Sequence, residues 1–323
     1  MTKAIRVHQH GGPEVMVFED VTVPEPGPGQ ALIRHTAIGV NFIDTYFRSG
    51  LYKSALPLTP GNEGVGVVEA VGDGVTEVAV GDRVGYVDGP ASYSEKRLIR
   101  ADRLIPIPDT VSDETAAAIV MKGLTVQYLV RQTYKLSAEH TVLYHAAAGG
   151  VGLVFGQWAK HLRATVIGTA GTDDKLDLAR AHGYDHVINY RTEDFVTRAL
   201  ELNHGQRLDV VYDSVGKDTF PASLDVLKPL GLFVTFGQSS GPIPPFDVGI
   251  LNTKGSLYMT RPSLYAYAAT RERLLAMAAE MFDLVARGVI SVDIHQRFDL
   301  KDARRAHEAL EGRQTTGATI LIP

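Results

Sequence analysis

Short apolar runs separated by turn residues dominate the first third of the chain. Residues 4–8, 15–23, 30–38, 64–71 and 83–87 are rich in β-branched side chains, and Gly and Pro clusters such as Pro24-Glu25-Pro26-Gly27-Pro28-Gly29 and Gly72-Asp73-Gly74 lie between them. That punctuation predicts short strands and a compact, barrel-like sheet. Residues 41–52 interrupt it with mixed polar and aromatic side chains in neither a helical nor an alternating period. Such a segment is suited to lining a site rather than filling a core. Residues 113–130 read as a helix: Ser112, Asp113 and Glu114 are cap-type residues and an apolar face starts at Ala116.

From about Thr125 the rhythm alternates. Strands are predicted at 142–145, 165–169, 186–188, 210–213 and 232–236, with helices at 151–160, 175–182, 194–202 and 220–227 between them. Strict β/α alternation implies a parallel, doubly wound sheet with helices on both faces and a ligand at the carboxyl ends of its strands. After Thr260-Arg261-Pro262-Ser263 a long helix is predicted through 267–287, then an apolar stretch at 290–298, a helix near 303–311 and a closing strand at 317–322. A terminal strand with no partner nearby in sequence most simply returns to the first sheet. The expected organisation is a discontinuous, mostly β catalytic domain of residues 1–123 and 262–323, with an α/β dinucleotide domain of residues 124–261 inserted. Residues 257–259 are either an edge strand that pairs across a dimer or an internal one.

The turn Ala147-Ala148-Gly149-Gly150-Val151-Gly152 lies between a predicted strand and helix, and fits the A-x-G-x-x-G form of the dinucleotide fingerprint. Gly149 lets the backbone approach a pyrophosphate, Gly152 lets helix pack on strand, and the helix N-terminus offers free N–H groups to an anion. An acidic residue about 20 positions further on would mark a ribose 2′-OH. Counting on from Gly149 leads instead to Ala170, with Lys175 close behind and Tyr190 and Arg191 ending the next strand. A 2′-phosphate needs cations and tolerates no carboxylate in contact, so the pattern favours NADPH over NADH. Asp173 and Asp174 leave the 2′-OH alternative open.

Bulk properties narrow the partners. The 323 residues, 45% hydrophobic and 21% charged, fit a soluble globular protein of two domains. A net charge of −5 gives no field favouring nucleic acid or an anionic membrane. No apolar run reaches the ~18 residues of a membrane span, and the first twenty residues hold no signal-peptide core, so a cytoplasmic location is expected. With no cysteine and no H-E-x-x-H pattern among eleven histidines, disulfides, thiolate chemistry and Cys-ligated zinc are excluded. No metal is expected.

Four motifs together carry a family resemblance: N-F-I-D-T-Y-x-R-S-G-L-Y at 41–52, A-A-A-G-G-V-G at 146–152, V-Y-D-S-V-G at 211–216 and G-I-L-N-x-K-G-S-L-Y-x-T-R-P-S-L at 249–264. The chain resembles the zeta-crystallin-type quinone oxidoreductases, zinc-free members of the medium-chain dehydrogenase/reductase superfamily. The likeness spans essentially the whole chain. It implies a Rossmann domain beside a barrel-like catalytic domain, NADPH-dependent quinone reduction in an interdomain cleft, and a homodimer. Where zinc alcohol dehydrogenases of the superfamily carry Cys, His and Cys ligands, this chain has Asn41, Asn62 and Lys122. Two neutral amides and an ammonium do not hold zinc.

The resemblance places Asn41, Asp44, Tyr46, Tyr52 and Lys122 around nicotinamide and substrate, Tyr46 being either a donor to the reduced oxygen or a packed aromatic. It carries over Gly149, Gly150 and Val151 at the pyrophosphate, Lys175 and Tyr190 at the 2′-phosphate, and Ser214 on the fourth strand. Thr125 is expected near the nicotinamide, Phe236, Gln238 and Ser240 after the next strand, and Arg261 and Arg313 as further cations. A quinone suits a metal-free site, because its carbonyl is already electrophilic and water can protonate the product. Two alternatives stay open at this point. One is reduction of the C=C bond of α,β-unsaturated carbonyls; the other is a noncatalytic NADPH-binding role, crystallin-like or RNA-binding.

Overall fold

The computed structural model describes residues 1–323, which divide into two compact units: 1–124 with 268–323, and 125–267. The first unit opens with β1 (Thr2–Val7) and β2 (Met16–Val21), an antiparallel pair. The long β3 (Gln30–Val40) follows, then helix α1 (Phe42–Ser49), β4 (Glu63–Val71), β5 (Arg83–Val87), β6 (Lys96–Arg100), the two-residue β7 (Ile105–Pro106) and helix α2 (Asp113–Tyr128). Ser112 Oγ accepts the Thr115 N–H at 3.1 Å and so caps α2, as its sequence position suggests.

The second unit alternates as its periodicity requires: β8 (Thr141–His145), α3 (Gly150–His161), β9 (Thr165–Ala170), α4 (Asp173–Ala181), β10 (His186–Asn189), α5 (Phe195–Leu202), β11 (Leu208–Asp213), β12 (Leu227–Thr235), α6 (Gly249–Thr253), β13 (Tyr258–Thr260) and α7 (Leu264–Tyr267). Its six strands run parallel in the order β10-β9-β8-β11-β12-β13. The order reverses between β8 and β11, so the ligand crevice lies at their carboxyl ends. Leu143, Ile167, Val211 and Phe233, none of them exposed, fill one face against α5 and the β11–β12 connection. Each such side chain contributes roughly 1.5–3 kcal/mol by leaving water.

The chain then returns to the first unit through α8 (Arg271–Ala286), β14 (Ile294–Asp299), α9 (Ala303–Glu311) and β15 (Ala318–Ile322). Strand β15 pairs antiparallel with the end of β3 and parallel with β14, completing a seven-stranded, mostly antiparallel sheet. The first domain is therefore discontinuous and mostly β. No helix is long and apolar enough to cross a membrane.

Three elements differ from the sequence expectation. The aperiodic segment at 41–52 holds a two-turn helix, α1, which buries Asp44, Thr45, Tyr46 and Arg48; polar residues inside the protein concealed the period. The helix expected at 220–227 is a single 3-10 turn, Ala222–Leu224. Pro221 lacks an N–H and Leu227 already belongs to β12, so the Ser223 Oγ and N–H that bond back to the Thr219 carbonyl at 2.9 and 3.0 Å are not followed by a second turn. The long helix through 267–287 is broken into α7 and α8, because Thr270 caps a new helix by accepting the Arg273 N–H at 3.3 Å.

Candidate active site

The second unit builds an anion cradle. Ala146 takes a left-handed conformation (φ 61°) to turn the chain out of β8, and α3 then starts at Gly150 with Gly149 as its cap. The first N–H of the helix with a backbone acceptor is that of Leu153, bonded to Gly149 at 2.9 Å, so the preceding ones face outward as an anion site requires. A β-carbon on Gly152 would sit 2.4 Å from the Ala147 carbonyl oxygen, so only glycine lets α3 lie this close to β8. The alanine that replaces the first glycine of the fingerprint is accommodated by its neighbour: the Ala147 methyl occupies the space that a side chain on Gly168 would need.

The remaining cofactor candidates of this unit line the same edge. Tyr190, whose N–H bonds to the Ala170 carbonyl at 3.2 Å, directly follows β10 beside the end of β9 and precedes the exposed Arg191. Lys175 sits half-buried in the first turn of α4. The Asp173 carboxylate accepts the Asn189 amide at 3.0 Å. Asp213, fully buried, ends β11 and accepts the N–H groups of Val215 and Gly216, which curls the loop carrying Ser214.

That loop meets the one after β12: Ser239 N–H donates to the Ser214 carbonyl, and Ser240 Oγ donates to the Val215 carbonyl at 2.8 Å. Ser240 is thereby a tie between loops. Phe236 lies 6.0 Å, ring to ring, from Tyr144. Arg261, expected as a further cation, follows β13 and donates to Thr235 Oγ1, the Gly237 carbonyl and Gln238 Oε1, bracing the loop after β12. Thr125 is buried on α2.

The first unit brings two of the catalytic candidates, Asn41 and Lys122, onto a carboxylate that was not among them. Glu63, fully buried at the head of β4, accepts Asn41 Nδ2 at 2.7 Å, Lys122 Nζ at 3.0 Å and the Met121 N–H at 2.7 Å. Gly39 on β3 makes room for it, since a β-carbon there would fall 2.0 Å from Glu63 Oε1. A lone carboxylate opening the otherwise apolar run Gly64-Val65-Gly66-Val67-Val68 was the sequence signal. Because Glu63 only accepts, it fixes which way the Asn41 amide faces. Asn41 precedes α1 and donates its N–H to Asp44 at 2.9 Å, as in a capping box. Tyr46 packs edge-on to Tyr52 at 5.3 Å, and the Tyr52 N–H returns to the Tyr46 carbonyl.

Asp44 is fully buried, so its carboxylate meets the Asn41 backbone and does not reach a surface. Burial pushes it up to about 7, against the lowering effect of its hydrogen bonds from Asn41 N–H and the Tyr93 hydroxyl. Arg313, in this same unit, stands exposed just beyond α9 with a left-handed backbone (φ 57°). No group of three or more His, Cys, Asp or Glu side chains is arranged to hold a metal ion. The side-chain donors of Asn41 and Lys122 point at Glu63, and an amide and an ammonium do not fit zinc.

Comparison with known proteins follows this geometry. The family model described as alcohol dehydrogenase GroES-like domain matches residues 27–109, and the one described as zinc-binding dehydrogenase matches residues 150–282. A quinone oxidoreductase of Pseudomonas aeruginosa is 52% identical, with all of both chains covered. A 2-haloacrylate reductase of a Burkholderia species is 44% identical over all of this chain and 99% of its own. The crystal structure of Escherichia coli quinone oxidoreductase complexed with NADPH superimposes with a TM-score of 0.98, at 50% identity, over 99% of this chain and 100% of that one. On full-length identity, shared fold and shared domain models, the chain belongs to the quinone oxidoreductase family of medium-chain dehydrogenases/reductases.

Proposed function

We propose that the chain is a cytoplasmic NADPH:quinone oxidoreductase that works as a homodimer and without zinc. The observation that carries the reading is the full-length match to a quinone oxidoreductase solved with NADPH. The anion cradle at Gly149, Gly150 and Val151 supports it, as do Lys175, Tyr190 and Arg191 near the end of β9, where a carboxylate would repel a 2′-phosphate. Ser214, Phe236, Gln238 and Ser240 would complete the crevice, with Thr125 toward the nicotinamide and Arg261 and Arg313 as flanking cations.

When bound, NADPH supplies the hydride. The part of this chain is positioning: Glu63 orients Asn41 and Lys122, Asp44 holds the start of α1, and Tyr46 and Tyr52 offer aromatic faces and hydroxyls to a planar quinone. A quinone accepts two electrons and a proton to become an aromatic hydroquinone anion, and water supplies the second proton. No strong acid is demanded of the site.

Initial rates with NADPH and NADH against 1,4-benzoquinone, 9,10-phenanthrenequinone and a 2-alkenal test the reading. NADPH oxidation with the quinones is expected. Turnover confined to the 2-alkenal would instead favour C=C reduction, the second reading, which the 2-haloacrylate reductase relative supports. Lys175→Ala is expected to raise the KM for NADPH about tenfold and leave that for NADH unchanged; equal effects on both would remove Lys175 from the 2′-phosphate. For the dimer, the support is β13, an edge strand that begins with the exposed Tyr258, with the exposed Phe246 and Val248 ahead of it in sequence.

A further inference from the structure

A chain of hydrogen bonds outside the residues assigned above reaches the active site from α9. Glu311 is gripped by both terminal nitrogens of Arg48, at 3.0 and 2.7 Å. Arg48 also donates from Nε to the Gly11 carbonyl at 3.1 Å and from Nη1 to His307 Nδ1 at 3.0 Å. A guanidinium has donors only, so Nδ1 carries the lone pair of His307 and Nε2 the proton. Nε2 then donates to the Tyr93 oxygen at 3.0 Å, which leaves the single phenolic proton for Asp44 Oδ2, also at 3.0 Å. Every donor points the same way, from Arg48 to Asp44, and Oδ2 takes the Asn41 N–H as its second donor.

Arg48, His307, Tyr93 and Asp44 are each at most 2% exposed, and a fully directed buried network of this kind specifies one geometry. The charged and titratable groups facing Asp44 are Glu63 from β4, Lys122 from α2, Tyr93 from the segment before β6, and His307 and Arg48 behind Tyr93. Lys122 is paired with Glu63 and Arg48 with Glu311, so neither cation bonds to Asp44. Its Oδ1 has no partner in the chain. With both donors on Oδ2, a proton taken up by Asp44 resides on Oδ1. The His307 ring is held neutral, down to about 3, by burial and then by the Arg48 charge, which preserves the direction of the chain through the neutral pH range.

We propose that Tyr93, backed by His307 and Arg48, is a positioning residue of the active site, acting through Asp44 on Asn41 and on the first turn of α1 that leads to Tyr46. The proposal rests on the quinone-reductase reading. Tyr93→Phe removes one of the two donors that hold the carboxyl, so Asp44 turns more freely and gains its charge at higher pH.

The test uses Tyr93→Phe, Asp44→Asn and the double variant, with kcat for quinone reduction measured over about pH 5–9. Tyr93→Phe is expected to lower kcat about tenfold, to leave the KM for NADPH alone, and to move the pH midpoint of kcat upward. In the Asp44→Asn background, which has no carboxyl to hold, adding Tyr93→Phe is expected to change kcat by no more than about twofold. Equal effects in both backgrounds, or an unmoved midpoint, would overturn the proposal. His307→Gln keeps a donor for Tyr93 and an acceptor for Arg48 and is expected to retain the wild-type midpoint, whereas His307→Leu shifts it in the direction of Tyr93→Phe. If the wild type oxidises no NADPH with quinones, the functional reading fails while the coupling remains measurable without substrate. The titration of Asp44, read as the pH-dependent gap in urea midpoint between proteins with Asp44 and with Asn at that position, must then move upward in Tyr93→Phe; a gap that does not move refutes it.

Discussion

Three buried groups that titrate away from their ordinary values give the protein opposing pH dependences. Asp44 sits at about 7 against an ordinary 3.8, chiefly through burial, so between those values the folded chain holds a proton that the unfolded chain has released. Its contribution to stability is present at the acid end and is lost as pH rises through about 7. His307 and His35 are lowered to about 3 and about 4 by burial, so their contributions are present above 6.5 and are lost as pH falls toward those values. Asp44→Asn removes only the first effect. Its urea midpoint is expected to climb relative to wild type between about pH 4.5 and 6.5, and a gap that stays constant would remove Asp44 from this role. At the same scale, Lys122→Met strips the buried Glu63 of its cation and is expected to cost about 3 kcal/mol, softened by the remaining bonds from Asn41 and Met121. Adding Glu63→Gln should recover much of that loss in chemical denaturation, as a coupled pair requires. Glu63 was marked only by its place at the head of an apolar run and Tyr93 and His307 by no local pattern, because the side-chain partners of the three lie 22 to 259 positions away in sequence.

Elements explain why the placement of the cofactor candidates was easier to read than that of the catalytic candidates. In the second unit Gly149, Tyr190, Ser214 and Phe236 each follow the end of a parallel strand, so β/α periodicity alone brings these cofactor candidates to one edge of the sheet. Helix α3 is the element on which that edge turns. Gly152→Ala would set a β-carbon 2.4 Å from the Ala147 carbonyl and 2.6 Å from that of Ala146, forcing the helix N-terminus away from β8. Weaker NADPH binding, about tenfold or more by fluorescence titration, is expected together with a stability loss of about 1–3 kcal/mol. Wild-type affinity in that variant would mean that the cradle does not depend on close helix packing. Helix α1 is the opposite case. Its buried positions are Asp44, Thr45, Tyr46 and Arg48, of which the two charged ones are made possible by Tyr93, His307 and Glu311, and those charges mask its apolar period although Asn41, Asp44 and Gly50 cap its ends.

On the scale of the whole molecule, the chain is one sheet system interrupted by another. Strand β15 pairs with the end of β3, only one residue before Asn41, so the C-terminal segment supports the strand that delivers Asn41 and helix α1. The same return carries α9, and with it His307 and Glu311, to the buried network at Arg48. The second sheet ends at β13, whose outer edge has no strand in this chain. If two copies join there, Val248→Asp with Tyr258→Asp places charge on side chains that are 70% and 61% exposed in the single chain. Sedimentation is expected to shift from dimer to monomer, with the β/α unit still folded by circular dichroism. A dimer that survives both changes would place the interface elsewhere.

The sequence by itself determined the α/β alternation, the glycine turn, the missing carboxylate at the end of β9 and the replacement of zinc ligands by Asn41, Asn62 and Lys122. Each of these is local: a period, a spacing or a residue type whose chemistry is the same in any context. Only the tertiary structure decided that Asp44 is buried, that Glu63 is shared by Asn41 and Lys122, and that Arg48 meets His307 and Glu311 across 259 and 263 positions of chain. A buried polar group is stable only when its partners arrive from elsewhere in the chain, and no short-range pattern encodes where those partners are.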